Sequence, residues 1–296
     1  MCGILLTNRL ITNVDETLRY LDSRGPDRRT IVHYEDITFV HTLLSITGEI
    51  TPQPFFNETD KVMVMFNGEI YNYDRFGEFP SDGACLLEVY KQYGNKFVNH
   101  LDGEFAIILV DFTLRRLVFS TDVFSTKPMW FAFEGREFGI ASYEQCLQSL
   151  GFQHPVQVEA NSTYEIDLDT IAFRSRTDVY TFDLKQHKTD FDDWNLAFSE
   201  AISKRTQGLR ESFFIGMSSG YDSGAIACEL QRQDVNFQSY AIIGSENKET
   251  IRSRMKHLGA GSVLHFPLEA FLESKKRLEQ NAPNYKLGID NGESEL

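Results

Sequence analysis

At 296 residues, 42% of them hydrophobic and 24% charged, the chain has the make-up of folded domains and enough length for two, each with its own core. Acidic residues (43) exceed basic ones (29), for a formal net charge of −14, which argues against nucleic acid as a partner and leaves no polybasic patch for a membrane surface. The longest strongly apolar run, Phe105 to Val110, is far too short to cross a bilayer, and no basic-then-apolar secretory signal opens the chain.

In chain order, Val14–Ser23 is predicted helical, with Leu18 and Leu21 on one face. Thr38–Ile46 and Lys61–Phe66 read as strands, rich in β-branched and aromatic residues and bounded by turn formers. Gly83–Tyr93 reads as a helix with Leu86, Val89, Tyr90 and Tyr93 as its apolar positions. Strands follow at Phe105–Asp111, Arg116–Ser120, Met129–Phe133, Phe138–Ala141 and Thr163–Leu168. So many strands with few helices between them predict stacked, mostly antiparallel sheets. Residues 169–190 are polar and aperiodic and are expected to be a linker. Beyond them, Asp192 or Asp193 is placed to cap a helix carrying Trp194, Phe198, Ala201 and Ile202. Then come a strand Phe213–Met217, a Ser/Gly turn and a helix from near Ser223. A strand Phe237–Ile243, a helix Lys248–Leu258 ended by Gly259, a strand Ser262–Phe266 and a helix from Leu268 complete the pattern. Strand–helix alternation predicts βαβ units on a parallel sheet. The cysteines Cys2, Cys85, Cys146 and Cys228 show no CxxC or short metal spacing, so reduced thiols in a cytoplasm are expected.

Three features of the first half bear on chemistry. Removal of Met1 leaves Cys2 with a thiol and a free α-amine on one residue. An α-amine titrates near neutrality and can accept the thiol proton, and the thiolate is the nucleophile. The alternative is an ordinary small residue at a frayed end. Asn67-Gly68 directly follows a strand and offers a side-chain amide and a backbone N–H to one oxygen, the composition of an oxyanion hole; it is equally the sequence of a hairpin turn. Asp82 precedes a helix, where it is either a cap or a carboxylate for a substrate ammonium.

Six segments occur in order: Cys2-Gly3-Ile4, Arg24-Gly25-Pro26-Asp27, His41 with Leu44-Ser45-Ile46, Asn67-Gly68-Glu69-Ile70-Tyr71-Asn72, Ser81-Asp82, and Asp102-Gly103-Glu104-Phe105-Ala106. Together they resemble the class II glutamine amidotransferases, specifically the glutamine-hydrolysing asparagine synthetase family. The resemblance implies an α+β N-terminal-nucleophile fold, an αββα sandwich, over residues 2–168. It implies Cys2, Asn67 and Gly68 as catalytic residues. Leu44, Ser45, Ile46, Asn67, Gly68, Glu69 and Asp82 become the glutamine-binding set. One departure stands out: family members carry Arg before Leu-Ser-Ile to clamp the glutamine α-carboxylate, and this chain has Leu43. Arg24 is a candidate replacement.

The turn Ser218-Ser219-Gly220-Tyr221-Asp222-Ser223-Gly224 lies between a strand and a helix. Small residues and a helix N-terminus there suit phosphate oxygens; the alternative is a tight connection with Ser/Asp caps. It resembles the pyrophosphate loop of ATP pyrophosphatases, with Ser219 where the family has Gly. The resemblance implies ATP held by Met217, Ser218, Ser219, Gly220, Asp222, Ser223 and Ile242, with Mg²⁺ on Asp222. Residues 191–296 would be an α/β parallel-sheet, adenine nucleotide alpha-hydrolase-like domain. It is expected to be incomplete, because the family's synthetase domain exceeds its glutaminase domain in length. The implied activity is ATP-dependent transfer of glutamine-derived ammonia to an adenylated carboxylate, aspartate in the parent reaction, by a cytoplasmic ligase of asparagine biosynthesis. Homodimerisation is an open expectation. Two alternatives are a relative amidating or cyclising another carboxylate, and a non-catalytic glutamine- or nucleotide-binding module.

Overall fold

Along Val62–Ile70, residues 62 to 67 are all buried, and successive side chains enter different cores. Met63 and Met65 join Ile4, Phe39 and Ile108, whereas Val64 and Phe66 join Leu86 and Val89. A strand buried on both faces belongs inside a layered stack. The computed structural model describes residues 2–207, 212–242, 246–258, 262–264 and 268–281. It divides the chain into two units, Met1–Leu184 and Lys185–Leu296.

The first unit runs β1 (Gly3–Thr7), α1 (Val14–Asp22), β2 (Arg28–Tyr34), β3 (Ile37–Leu43), β4 (Phe55–Asn57), β5 (Val62–Ile70), α2 (Leu86–Tyr93), β6 (Gly103–Asp111), β7 (Arg116–Thr121), β8 (Trp130–Glu134), β9 (Glu137–Ala141), α3 (Glu144–Ser149), β10 (Val156–Gln157), β11 (Ser162–Asp167) and β12 (Ala172–Asp178). Two antiparallel sheets form, in the orders β10-β8-β9-β1-β3-β2 and β12-β11-β7-β6-β5-β4. Ile4, Phe39, Met65, Ile108 and Phe119 fill the space between them. Leu18 and Leu21 of α1 and Leu147 of α3 cover the outer face of the first sheet, against Leu5, Val40 and Ala141. Leu86 and Val89 of α2 cover the second, against Val64, Ile107 and Leu109. The layers are therefore α, β, β, α, as expected.

α1 begins where the Asn13 side chain accepts the Glu16 N–H at 3.1 Å and donates back to its carboxylate at 3.0 Å, a reciprocal cap. Its Leu18 and Leu21 are fully buried, worth roughly 1.5–3 kcal/mol each. Two differences from the sequence reading concern edges. β2 alternates exposed and half-buried residues, and β12 is exposed along its whole length, so neither carries an apolar run. β12 lies inside the segment 169–190 that reads as a linker; it is an edge strand paired with β11.

The second unit contains α4 (Asp192–Thr206), β13 (Phe214–Gly216), α5 (Tyr221–Arg232), β14 (Gln238–Ile242), α6 (Lys248–Leu258), β15 (Ser262–Leu264) and α7 (Leu268–Asn281). Strands β13, β14 and β15 pair in parallel in that order. Met217, Ala227, Ala241 and Ile251 form its core. α4 has Phe191 at its N-cap and no side-chain cap, so neither Asp192 nor Asp193 plays that part. Gly259 and the expected strand ends Ile243 and Phe266 lie outside the described residues. All four cysteines are free, and among the described residues no helix is long and apolar enough to cross a membrane.

Candidate active site

Cys2 stands immediately before β1, with its thiol nearly buried and accepting the Leu44 N–H at 3.4 Å. The turn 24–27 explains how it is held. Arg24 Nε donates to the Cys2 carbonyl at 2.7 Å, and its guanidinium reaches the Tyr143 hydroxyl at 2.6 Å. At Gly25 a Cβ would come within 2.1 Å of the Thr42 carbonyl carbon, so only glycine lets this turn lie on β3. Asp27 accepts the Ser45 N–H at 2.8 Å, while its own N–H bonds the Leu43 carbonyl at 2.9 Å. One turn thus fixes both the cysteine and the loop whose N–H touches its sulfur. Arg24, the candidate replacement for the family Arg, is engaged with the Cys2 carbonyl and the Tyr143 hydroxyl.

Asn67 sits on β5 in register with Ala106, on the same face as Met63 and Met65. It therefore projects between the sheets, the side that β1 presents through Ile4 and Leu6. It is fully buried, and neither atom of its carboxamide has a hydrogen-bond partner. Such a group costs stability unless something else completes it. At Gly68 a Cβ would lie 2.0 Å from the Glu104 carbonyl, which requires glycine there. His41, on β3, is also fully buried, and neither ring nitrogen meets a well-formed hydrogen bond. Burial pulls its pKa down to about 4, the neutral ring being favoured away from water.

A cleft opens at Cys2, walled by Leu43 to Glu49 on one side and by Gly68, Glu69 and Asp82 on the other. Its free space is about 30 Å³, room for a water or two and less than an amino acid occupies. Asp82 accepts the Ile70 N–H at 2.9 Å rather than capping a long helix; a 3₁₀ turn separates it from the start of α2. Burial, and then the neighbouring Glu69, push the Asp82 carboxyl up to about 7. Burial also raises the Glu69 carboxyl, which accepts the Thr47 hydroxyl at 2.7 Å. The Cys2 thiol is raised by burial, opposed by the Leu44 N–H.

The cleft thus brings together Cys2, Leu44, Ser45, Ile46, Gly68, Glu69 and Asp82, whereas Asn67 is not part of its wall. Sequence reasoning missed Glu49 and Gln53 in the lining. Gln53 is buried and accepts the Phe66 N–H at 2.7 Å, a role that no local pattern announces.

In the second unit the turn 218–224 links β13 to α5. The Ser218 and Ser223 hydroxyls lie 2.9 Å apart, and the Gly220 N–H donates to Ser218 Oγ at 3.1 Å. The Ser219 N–H and hydroxyl both donate to the Glu246 carboxylate. Arg254 donates to the Ser218 and Gly220 carbonyls at 2.5 and 2.6 Å. A carboxylate oxygen therefore accepts both Ser219 donors. Met217, Ser218 and Ile242 line an adjoining cleft of about 530 Å³, with Phe214, Tyr240 and Glu246 as lining that the sequence did not suggest. Asp222 is exposed; among the described residues no group of three or more His, Cys, Asp or Glu is gathered for a metal.

A sandwich of two antiparallel sheets with a cysteine at the start of an inner strand defines a class, and residues 1–171 match the glutamine amidotransferase domain family. The match covers more than half of the chain, which belongs to that family. Among similar proteins, asparagine synthetase [glutamine-hydrolyzing] 2 of Oryza sativa subsp. japonica is 32% identical over 148 residues, covering 44% of this chain and 25% of that one. Asparagine synthetase [glutamine-hydrolyzing] 3 of Arabidopsis thaliana is 32% identical over 146 residues, again 44% of this chain and 25% of that one. Amidase chry2 of Gibberella zeae is 23% identical over 260 residues, 74% of this chain and 39% of its own length. The chain spans about a quarter of the length of the asparagine synthetases that it matches. Among solved structures, the glutamine phosphoribosylpyrophosphate amidotransferase from B. subtilis aligns over 95% of this chain and 89% of its own, with 12% identity and a TM-score of 0.49.

Proposed function

We propose that the first unit hydrolyses the side-chain amide of glutamine and that Cys2, made the first residue by removal of Met1, is its nucleophile. Sγ attacks the carboxamide carbon while its proton passes to the Cys2 α-amine. The Asn67 amide and the Gly68 N–H hold the oxyanion. The carbon–nitrogen bond then breaks, the α-ammonium returns a proton to the departing nitrogen, and ammonia leaves a thioester on Cys2. Water attacks the thioester, the α-amine relays its proton to sulfur, and a carboxylate departs. Glu69 and Asp82 pair with the substrate ammonium. The observation that carries this reading is the fully buried, unpartnered amide of Asn67 on the inner face shared with the strand that Cys2 begins. The test is ammonia release by purified protein whose first residue is established by mass spectrometry. Wild type starting at Cys2 is expected to release ammonia and Cys2→Ala to release none. Equal release by both would end the proposal.

The ammonia is proposed to pass to a carboxylate activated with ATP at the second unit. Met217, Ser218, Ser219, Gly220, Ser223 and Ile242 would hold the nucleotide, and Asp222 the Mg²⁺. ATP supplies the activation, as an acyl-adenylate; the turn residues orient its phosphates. Aspartate is one acceptor, in line with the asparagine synthetase relatives. A different carboxylate is the second reading. It is favoured by the alignment with Amidase chry2, which runs over 74% of this chain against 44% for the rice enzyme. Pyrophosphate release measured against a panel of carboxylic acids separates the two.

A further inference from the structure

The cleft at Cys2 is lopsided in charge. Its lining includes three carboxylates, Glu49, Glu69 and Asp82, and, among the described residues, no Lys, Arg or His. Leu43 contributes an apolar wall. Two nearby cations are already engaged: Arg24 with the Cys2 carbonyl and Tyr143, and Lys127 with Glu104 at 3.2 Å, neither of them in the lining. Several backbone donors around the cleft are also spent. The Leu44 N–H goes to Cys2 Sγ, Ser45 to Asp27, Glu49 to the Pro80 carbonyl and Ile70 to Asp82. The Thr47 hydroxyl goes to Glu69. An ammonium entering here meets two desolvated carboxylates. A carboxylate entering here meets the carboxyls of Glu49, Glu69 and Asp82 and no cationic side chain in the described lining, and burying it unpaired is costly.

We propose that the amide donor of this cleft is a glutamine whose α-amine is free and whose α-carboxyl is masked as an amide or ester, such as the N-terminal glutamine of a peptide. The inference rests on the Cys2 reading above and narrows its substrate class. The ammonium is held by Glu69 and Asp82. The side-chain carboxamide reaches Cys2 and Asn67. The masked carboxyl, now neutral, lies against Leu43 without needing a counter-charge.

Ammonia release by the wild-type chain is compared for free L-glutamine, L-glutamine α-N-methylamide, which has a single primary amide, and Nα-acetyl-L-glutamine. The methylamide is expected to have a kcat/KM at least tenfold above free glutamine, with the acetyl compound the poorest. Leu43→Arg is expected to reverse the first preference, mainly through KM. A wild-type preference for free glutamine overturns this inference and leaves Cys2 as nucleophile. No release from any of the three overturns both.

Discussion

Asn67→Leu separates catalytic from structural asparagine. The side chain is fully buried and neither its amide nitrogen nor its oxygen bonds another residue, so it ties no element of the fold to another. Leaving a buried polar group unsatisfied typically costs about 1–3 kcal/mol, and leucine of similar size removes that cost. For a unit of this size the gain corresponds to a rise in Tm of roughly 2–12 °C. The same change deletes the proposed oxyanion donor, a loss that typically lowers kcat by about 10²–10³. The assays are scanning calorimetry and ammonia release, on protein whose N-terminal residue has been verified. Opposite movement of Tm and kcat is the expected result. A fall in Tm of several degrees, with activity lost only in proportion to folded protein, would refute the reasoning, because it would make Asn67 a structural group.

His41 gives a pH signature. Its folded pKa lies near 4, below the ordinary value of 6.5, so the unfolded chain binds the extra proton between these values. Stability is therefore full above about pH 6.5 and lost as pH falls toward 4, by about 2 kcal/mol at pH 5. Denaturant melts of wild type and His41→Phe at pH 5 and pH 7 check this; an identical pH dependence in the two counts against it. Asp82, with its carboxyl near 7, must ionise to hold an ammonium. In a Cys2→Ala background, calorimetry with the glutamine methylamide is expected to show affinity rising about fivefold from pH 6 to 7 and less steeply above pH 7. Asp82→Asn removes the slope, and a slope that survives the substitution assigns it elsewhere. At the turn 218–224, Glu246→Ala frees the Ser219 donors. Binding of a non-hydrolysable ATP analogue, followed by equilibrium dialysis, is expected to tighten by about tenfold; weaker binding would make Glu246 a ligand instead of a competitor.

The layers of the first unit were legible because β5, β6 and α2 carry long buried apolar runs or a clear helical face. What escaped was mostly polar at the rim, together with the short inner strand β1. β2 and β12 are edge strands whose outward residues need no apolar pattern, so β12 read as linker. At the site, Cys2, Gly68, Glu69 and Asp82 were visible in the order of short motifs and do meet in one cleft. The task of Arg24 was not visible, because a guanidinium serving a main-chain carbonyl leaves no spacing signature. Nor was the contact of Glu246 with Ser219, made across 27 positions and dependent on how α6 approaches the turn.

The most direct measurement is peptide mass spectrometry of the chain, acid-quenched during turnover of a glutamine side-chain amide. The expected result is an N-terminal peptide that begins with Cys2 and carries a glutamyl thioester on that residue. An acyl group found on Cys85, Cys146 or Cys228, or undiminished turnover by chains that still begin with Met1, would contradict it.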